Sequence, residues 1–392
     1  MKQLILKIAV LLLRMVYAPM RLLPVKRRVV IISRQSRKAS VDIRLLTDYL
    51  RMRYPDLKCK VLVRFIEPGI GGKLSYMPHM FVQMYYLATS RLVVLDGYCI
   101  VACVLPHRKG TEILQMWHAV AAIKRFGYQS IGYPSGHSRV VAETMRMHRN
   151  YDYVLCPGEE TGRIFCEAFD LEPSKLVYMG LPRLDLIWDS EDSREKIREA
   201  YGIEDGKEIL LYVPTFRKNR PVYLRDLIRA VDPKRFVLAI RLHPLEEPPE
   251  SFGEDIPEGL QIIVDRERST QEWIRACDRI ITDYSALGVE AARTGKPVYY
   301  YVYDIAEYEK ATGLNVDPRT EMPHETAITG LQLADLLSSP YDFEELDRFK
   351  KKYINIDTDA CTARLGDFIY GIVEEIHPEI PDASSETEGP GA

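Results

Sequence analysis

"DRIITDYSALGVEAARTGKPVYYYV", residues 278–302, reads as a β-rich run, a helical stretch and a second β-rich run. Ile280–Thr282 and Val298–Val302 are mostly β-branched or aromatic, whereas Ala286–Thr294 carries its apolar residues at helical spacing. Strands joined through a single helix lie parallel, with the helix packed on the sheet. Ligands of open parallel sheets bind beyond the carboxyl ends of the strands, and that end here carries Asp283, Tyr284 and Ser285. Asp283 and Ser285 suit helix capping in their own right. A helix amino terminus with free N–H groups also suits a diphosphate.

The same alternation runs outward in both directions. Before it lie "VVIIS" (29–33), "CKVLVRF" (59–65), "RLVVLDG" (91–97), "EILQMWH" (112–118), "YDYVLCP" (151–157) and "KLVYMG" (175–180). Closer to it lie "EILLYVP" (208–214), "FVLAIRLHP" (236–244) and "LQIIVD" (260–265). Amphipathic stretches separate them, one with Ser40 as a cap. The polar segment 185–208 between the two sets reads as a connection. The expected fold is therefore α/β, with two Rossmann-like domains facing a central cleft, over residues 29–190 and 191–376. An amphipathic segment, 1–28, precedes them, and an acidic, disordered tail, 377–392, follows.

A chain of 392 residues with 46% hydrophobic content can fill two cores. A net charge of −3 argues against nucleic acid as a partner. The charge is uneven, because residues 1–60 hold fifteen Lys and Arg against three Asp. Within "MKQLILKIAVLLLRMVYAPMRLLPVKRR", Lys7, Arg14 and Arg21 interrupt the apolar runs, so none approaches the ~20 residues that span a bilayer. Gln3, Lys7, Arg14 and Arg21 share one narrow face of a helical wheel, opposite a wide apolar face. That pattern predicts a helix lying on a membrane surface and ended or kinked at Pro19, with Lys7, Arg14, Arg21, Lys26, Arg27 and Arg28 as membrane-associating cations. The seven cysteines lack metal-site spacing and read as reduced core residues, which places the body in the cytoplasm.

Unusual residues cluster at strand ends. His118 follows Trp117; Thr215 and Arg217 follow "LLYV"; His243 precedes Pro244; Asp283, Tyr284 and Ser285 follow "RIIT". An imidazole is a general base at neutral pH, and a guanidinium beside a hydroxyl suits phosphate oxygens. Each also has a plain structural reading: a core histidine, a turn with a surface arginine, a strand end, a helix cap. "DTD" (357–359) has the form of a carboxylate pair for a metal, but no metal is assigned. No phosphate loop, dinucleotide glycine pattern or nucleophile elbow is present.

The ordered set "WHA", "GLPRLD", "YVPTFR", "RLHP" and "ITDYSALGVEAARTGKPVYYYVYDIAEY" resembles the CDP-glycerol glycerophosphotransferase family of teichoic acid and capsule synthesis. The resemblance implies a glycosyltransferase-B-like fold and transfer of a polyol phosphate from a CDP-activated donor, CDP-glycerol or a related CDP-polyol, to a lipid-linked or glycan hydroxyl with release of CMP. It makes His118 and His243 catalytic and puts Thr215, Arg217, Asp283, Tyr284 and Ser285 at the donor diphosphate. It requires no cofactor and implies peripheral attachment to the cytoplasmic face of the cell membrane. Ala119 stands where the family usually has glycine, and the polyol stays open between glycerol, ribitol and others. A nucleotide-sugar glycosyltransferase and a catalytically silent membrane scaffold are the alternatives.

Overall fold

The computed structural model describes residues 2–187, 190–217, 223–243, 246, 252, 256–356 and 358–376. The chain divides into two compact units, each built on one six-stranded parallel sheet.

The first unit comprises residues 1–120, 125–185 and 355–392. Its strands are β1 (Lys26–Ser33), β2 (Lys58–Val63), β3 (Ser90–Leu95), β4 (Glu112–Gln115), β5 (Tyr153–Cys156) and β6 (Leu176–Tyr178). They lie in the order β2-β1-β3-β4-β5-β6. Both faces of a parallel sheet are covered, so Val29–Ile32 and Leu92–Leu95 are buried at every position rather than at alternate ones. Ser40 caps the helix Val41–Arg53, its Oγ accepting the Ile43 N–H at 3.3 Å. The helix Cys361–Val373 packs on that helix and on β1 and β3. Residues 355–376, which the sequence division assigns to the second domain, thus belong to the first. The tail 377–392 lies outside the described residues.

The second unit comprises residues 121–124 and 186–354. Its strands are β7 (Glu208–Val213), β8 (Phe236–Ile240), β9 (Ile262–Val264), β10 (Arg279–Thr282), β11 (Val298–Tyr301) and β12 (Thr326–Ala327), in the order β12-β11-β10-β7-β8-β9. Two residues long, β12 carries too little pattern to be seen in the sequence. The polar stretch expected to connect the domains is largely the helix Glu191–Tyr201, capped by Ser190 and packed on the helix Thr270–Ala276. In the helix Leu287–Ala292, Gly288 lets the helix pack closely on β10 and β11: a Cβ there would meet the Tyr300 hydroxyl at 2.5 Å.

Strand order reverses between β1 and β3 in the first unit and between β7 and β10 in the second. Helices leave in opposite directions at such a point and open a crevice beyond the carboxyl ends of the strands.

The amino-terminal helix Lys2–Met20 runs unbroken through Lys7 and Arg14 and ends one residue after Pro19. From Gln3 to Met20 it is long and apolar enough to cross a membrane by length and composition, which a count of uninterrupted apolar runs misses. Val10 and Tyr17 are buried, and the helix packs against the helices Gly69–Thr89 and Arg139–Thr144. Leu4, Ile5, Ile8, Leu11, Leu12, Met15 and Val16 form an exposed stripe at helical spacing.

Three of the six expected membrane cations are engaged by the protein itself. Arg14 donates Nε to the Val104 carbonyl at 3.0 Å. Arg28 is 9% exposed, donates to Ser90 Oγ and Thr89 Oγ1, and lies 4.4 Å from the Tyr86 ring centroid. Arg27 pairs with Glu374. Lys26, Arg27 and Arg28 also belong to β1 rather than to the amino-terminal helix. Part of the face that carries the cations on the wheel turns toward the protein, with Val10, Arg14 and Tyr17, while the apolar stripe is exposed.

Candidate active site

In the first unit, Gln35, Asp96 and His118 follow β1, β3 and β4, at the point where strand order reverses. His118 Nδ1 lies 3.0 Å from the Asp96 carbonyl oxygen and 3.2 Å from the Gln35 amide nitrogen. The carbonyl can only accept and the amide nitrogen only donate, so Nδ1 serves one of them at a time; with the closer carbonyl as partner, the proton sits on Nδ1 and Nε2 keeps its lone pair. Burial, helped by the nearby Arg183 and Arg34 charges, lowers the His118 pKa to about 4, although the residue as a whole is exposed. The neutral, proton-accepting form therefore prevails at pH 7. Gly97 makes room for this arrangement, since a Cβ there would meet the Gln35 amide at 2.4 Å.

Trp117 is held at φ +62°, a left-handed conformation that a bulky residue rarely adopts. Its N–H donates to Gln115 Oε1 at 2.9 Å, and Gln115 Nε2 donates to the Gly97 carbonyl at 3.1 Å. The indole packs against Phe126 and Phe169 with centroids 5.1 Å away and against His148 at 5.7 Å. Strained backbone persists only where its surroundings over-determine it, as the indole's packing and the Gln115 bond do here, directly before His118. An open cavity of about 260 Å³ lies in front, lined by His118, Arg34, Arg125, Ser130, His137 and His148 among others. Among the described residues, no Asp or Glu lines it.

In the second unit, Thr215 follows β7 and Asp283 follows β10, again across the reversal of strand order. Asp283 is fully buried, and its Oδ1 accepts the N–H groups of Thr215 at 2.8 Å and Tyr284 at 2.6 Å. Arg217 donates Nη1 to Asp283 Oδ2 at 2.8 Å, and Nε and Nη2 to Asp304 at 2.9 and 3.0 Å. Tyr284 donates its hydroxyl to Asp304 at 3.0 Å and stacks on Tyr308 at 3.8 Å. Three residues expected at the donor diphosphate are thereby engaged with one another. The guanidinium of Arg217, with its side chain 6% exposed, is committed to two carboxylates, while Asp283 and Tyr284 are sealed into the same network. Phosphate oxygens that displaced these partners would strand buried charge.

Thr215 and Ser285 stand differently. Thr215 is buried, and its hydroxyl has no partner among the described residues. Ser285 is half-buried, with Oγ accepting the Leu287 N–H at 3.3 Å. His243 is exposed, its ring 4.8 Å from that of Phe216; burial of one side and the charge of Lys124 lower its pKa. Pro244 lies outside the described residues.

His118 and His243 thus belong to different units, each at a carboxyl strand end. Asp42, Gln115 and Arg183 around His118, and Lys124 and Asp304 in the second unit, carry the geometry without being singled out by the sequence. Arg183 and Asp304 stand inside motifs already quoted and Lys124 five positions after "WHA", but only contacts distinguish them from surface charges. Among the described residues, His324, Asp342 and Glu345 are the group of side chains spaced closely enough to hold a metal ion, their candidate atoms within 4.8 Å of one another. Asp357 of "DTD" lies outside the described residues.

Residues 15–371 match the family profile described as CDP-glycerol:poly(glycerophosphate) glycerophosphotransferase. The chain is 30% identical over 368 residues to a teichoic acid ribitol-phosphate primase of Bacillus spizizenii, covering 89% of this chain and 92% of that protein. It is 25% identical over 302 residues to a teichoic acid glycerol-phosphate primase of Bacillus subtilis, covering 75% of this chain and 77% of that protein. Among solved structures it is similar in fold to the wall teichoic acid polymerase TagF, with a TM-score of 0.69 at 18% identity over 96% of this chain and 98% of that one.

Proposed function

This chain belongs to the CDP-glycerol:poly(glycerophosphate) glycerophosphotransferase family, and from that membership we propose that it transfers a polyol phosphate from a CDP-activated donor to a hydroxyl of a lipid-linked glycan. The observation that carries the reading is the His118 imidazole, its Nδ1 proton tied to the Asp96 carbonyl and its Nε2 left as a base beside an acid-free cavity. The acceptor hydroxyl loses its proton to Nε2 as its oxygen attacks the donor's β-phosphorus. A new P–O bond forms, the bond from that phosphorus to the bridging oxygen breaks, and CMP leaves. Such transfers depend on positioning and on steadying oxygen charge, tasks suited to His243, the Thr215 hydroxyl and Ser285 in the second unit. No cofactor beyond the donor enters these steps. The two sheets, each with its crevice, suit a glycosyltransferase-B-like enzyme.

The polyol is glycerol in the family's description and in the name of one relative, and ribitol in the name of another. The test is to assay CMP release from CDP-glycerol and CDP-ribitol with a lipid-linked disaccharide acceptor, for wild type and His118→Ala. The reading expects release by the wild type, and a loss of ~10²–10⁴-fold in turnover by the variant with little change in donor affinity. Release of UDP or GDP from a nucleotide sugar instead, or a fully active variant, overturns it.

The acceptor's lipid places the enzyme at the cytoplasmic membrane surface. Support comes from two neighbouring helices of the first unit. Besides the stripe on Lys2–Met20, the helix Gly69–Thr89 exposes Ile70, Leu74, Met77 and Phe81, again at helical spacing. Apolar side chains in such numbers are unusual on a surface facing only water. Burial of Val10 and Tyr17 against the protein favours a helix lying in the interface over one crossing the bilayer.

A further inference from the structure

We propose that Lys124 is the donor-phosphate ligand of the second unit, its ammonium binding the diphosphate of the CDP-activated donor beside His243 and the Thr215 hydroxyl. This rests on the transferase reading above and assigns the residue that holds the donor's charge, since Arg217 is otherwise engaged.

Residues 121–124 pack in the second unit, although the chain on either side of them belongs to the first. Their backbone is pinned there. Lys124 forms an antiparallel bridge with Leu314, its carbonyl accepts the Asn315 side-chain N–H at 3.1 Å, and the Ile123 carbonyl accepts the Asn315 backbone N–H at 2.8 Å. The backbone from which the ammonium extends is therefore held in the second unit.

Lys124 Nζ lies 5.8 Å from the centroid of the Tyr308 ring, which stacks on Tyr284. Asp283 and Arg217 act on it electrostatically, as it does on His243. Burial lowers the Lys124 pKa, with Asp283 opposing that and Arg217 adding to it; with Glu246, which accepts the backbone N–H groups of Arg217 and His243 at 3.4 Å each, the cluster holds three carboxylates against the cations of Arg217 and Lys124. Yet Arg217 and backbone N–H groups consume the carboxylate oxygens. None of the three N–H donors of Lys124 has an acceptor among the described residues. The Thr215 hydroxyl in the same cluster is buried without a partner among the described residues.

Unmatched donors at the carboxyl end of a parallel sheet, where strand order reverses, call for an anionic ligand. A diphosphate supplies the oxygens. When the bond to CMP breaks, negative charge grows on the leaving oxygen, and a cation already in place stabilises it without reorganisation.

The experiment measures binding of CDP-glycerol, CDP and cytidine by calorimetry to wild type, Lys124→Met and Lys124→Arg, with a melting temperature for each free protein. Lys124→Met is expected to weaken CDP-glycerol and CDP about ten- to a hundredfold, leave cytidine unchanged and keep the melting temperature at or above the wild-type value, because it removes an unmatched donor. Lys124→Arg is expected to recover part of the affinity. Equal CDP affinity in wild type and Lys124→Met, or parallel loss of cytidine binding and thermal stability, overturns the assignment. A wild type that binds neither CDP-glycerol nor CDP-ribitol sinks the transferase reading itself, which distinguishes the two failures.

Discussion

Arg183 grips Asp42 across 141 positions of sequence, its backbone N–H and its Nε each 2.8 Å from a different oxygen of the carboxylate. The same guanidinium donates Nη2 to the carbonyl oxygen of His118 at 3.1 Å. The Asp42 side chain is 2% exposed, so the pair works in a low-dielectric setting and fixes the segment in which Trp117 holds its left-handed backbone.

Arg183→Lys keeps the charge and loses the fork, so it is expected to lower turnover at least tenfold while donor affinity stays within threefold. Asp42→Ala leaves a cation without its partner and is expected to cost about 3–5 kcal/mol in urea unfolding. A Lys variant with kcat within twofold of wild type shows that His118 is positioned without this clamp.

Acid dependence is set by histidines that burial keeps neutral. With His118 lowered to about 4, the acid limb of kcat/KM is expected well below pH 6.5, near pH 4 to 5. His148, buried among aromatic rings, is lowered to about 3. Between pH 6.5 and 3 the unfolded chain takes up a proton that the folded chain refuses, so this group's contribution to stability falls as pH drops through that window and is constant above it. Asp96, raised by burial to about 6, gives the opposite slope between about pH 4 and 6. Subtracting His148→Phe from wild type isolates the histidine: the variant's melting temperature should gain on wild type from pH 7 to pH 4. A constant difference over that range removes His148 from the account.

Arg217→Met leaves the Asp283 and Asp304 carboxylates without their shared cation and is expected to destabilise the protein by about 3–5 kcal/mol, with partial recovery in Arg217→Met/Asp304→Asn. Thermal and urea unfolding measure both. An Arg217→Met protein that melts like wild type but no longer binds CDP makes Arg217 a ligand residue after all.

At the membrane, the apolar stripe rather than the cations is expected to carry attachment. Ile8→Glu/Leu12→Glu should release the protein from anionic vesicles by tenfold or more in a sedimentation assay. Arg14→Ala should change vesicle binding less than threefold yet lower the melting temperature, because it loses the bond to the Val104 carbonyl. Release by Arg14→Ala equal to that of the double variant reverses this ranking.

The sequence by itself determined the eleven longer strands, their parallel sense and the strand-end positions of His118, His243, Thr215 and Asp283. Continuous apolar runs are the direct consequence of a sheet covered on both faces, and helical spacing between them leaves no antiparallel solution. Tertiary structure alone decided what each charge does. Arg217 and Arg28 resemble phosphate- or lipid-binding arginines in a string of letters, yet partners 66 and 61 or more positions away absorb them. Lys124 resembles a surface lysine, yet its backbone is pinned into the second unit by residues around Leu314. Strand formation depends on local periodicity, which neighbours in the chain carry. Whether a cation is spent or available depends on which carboxylates the fold brings within about 3 Å, and chain order does not encode that distance.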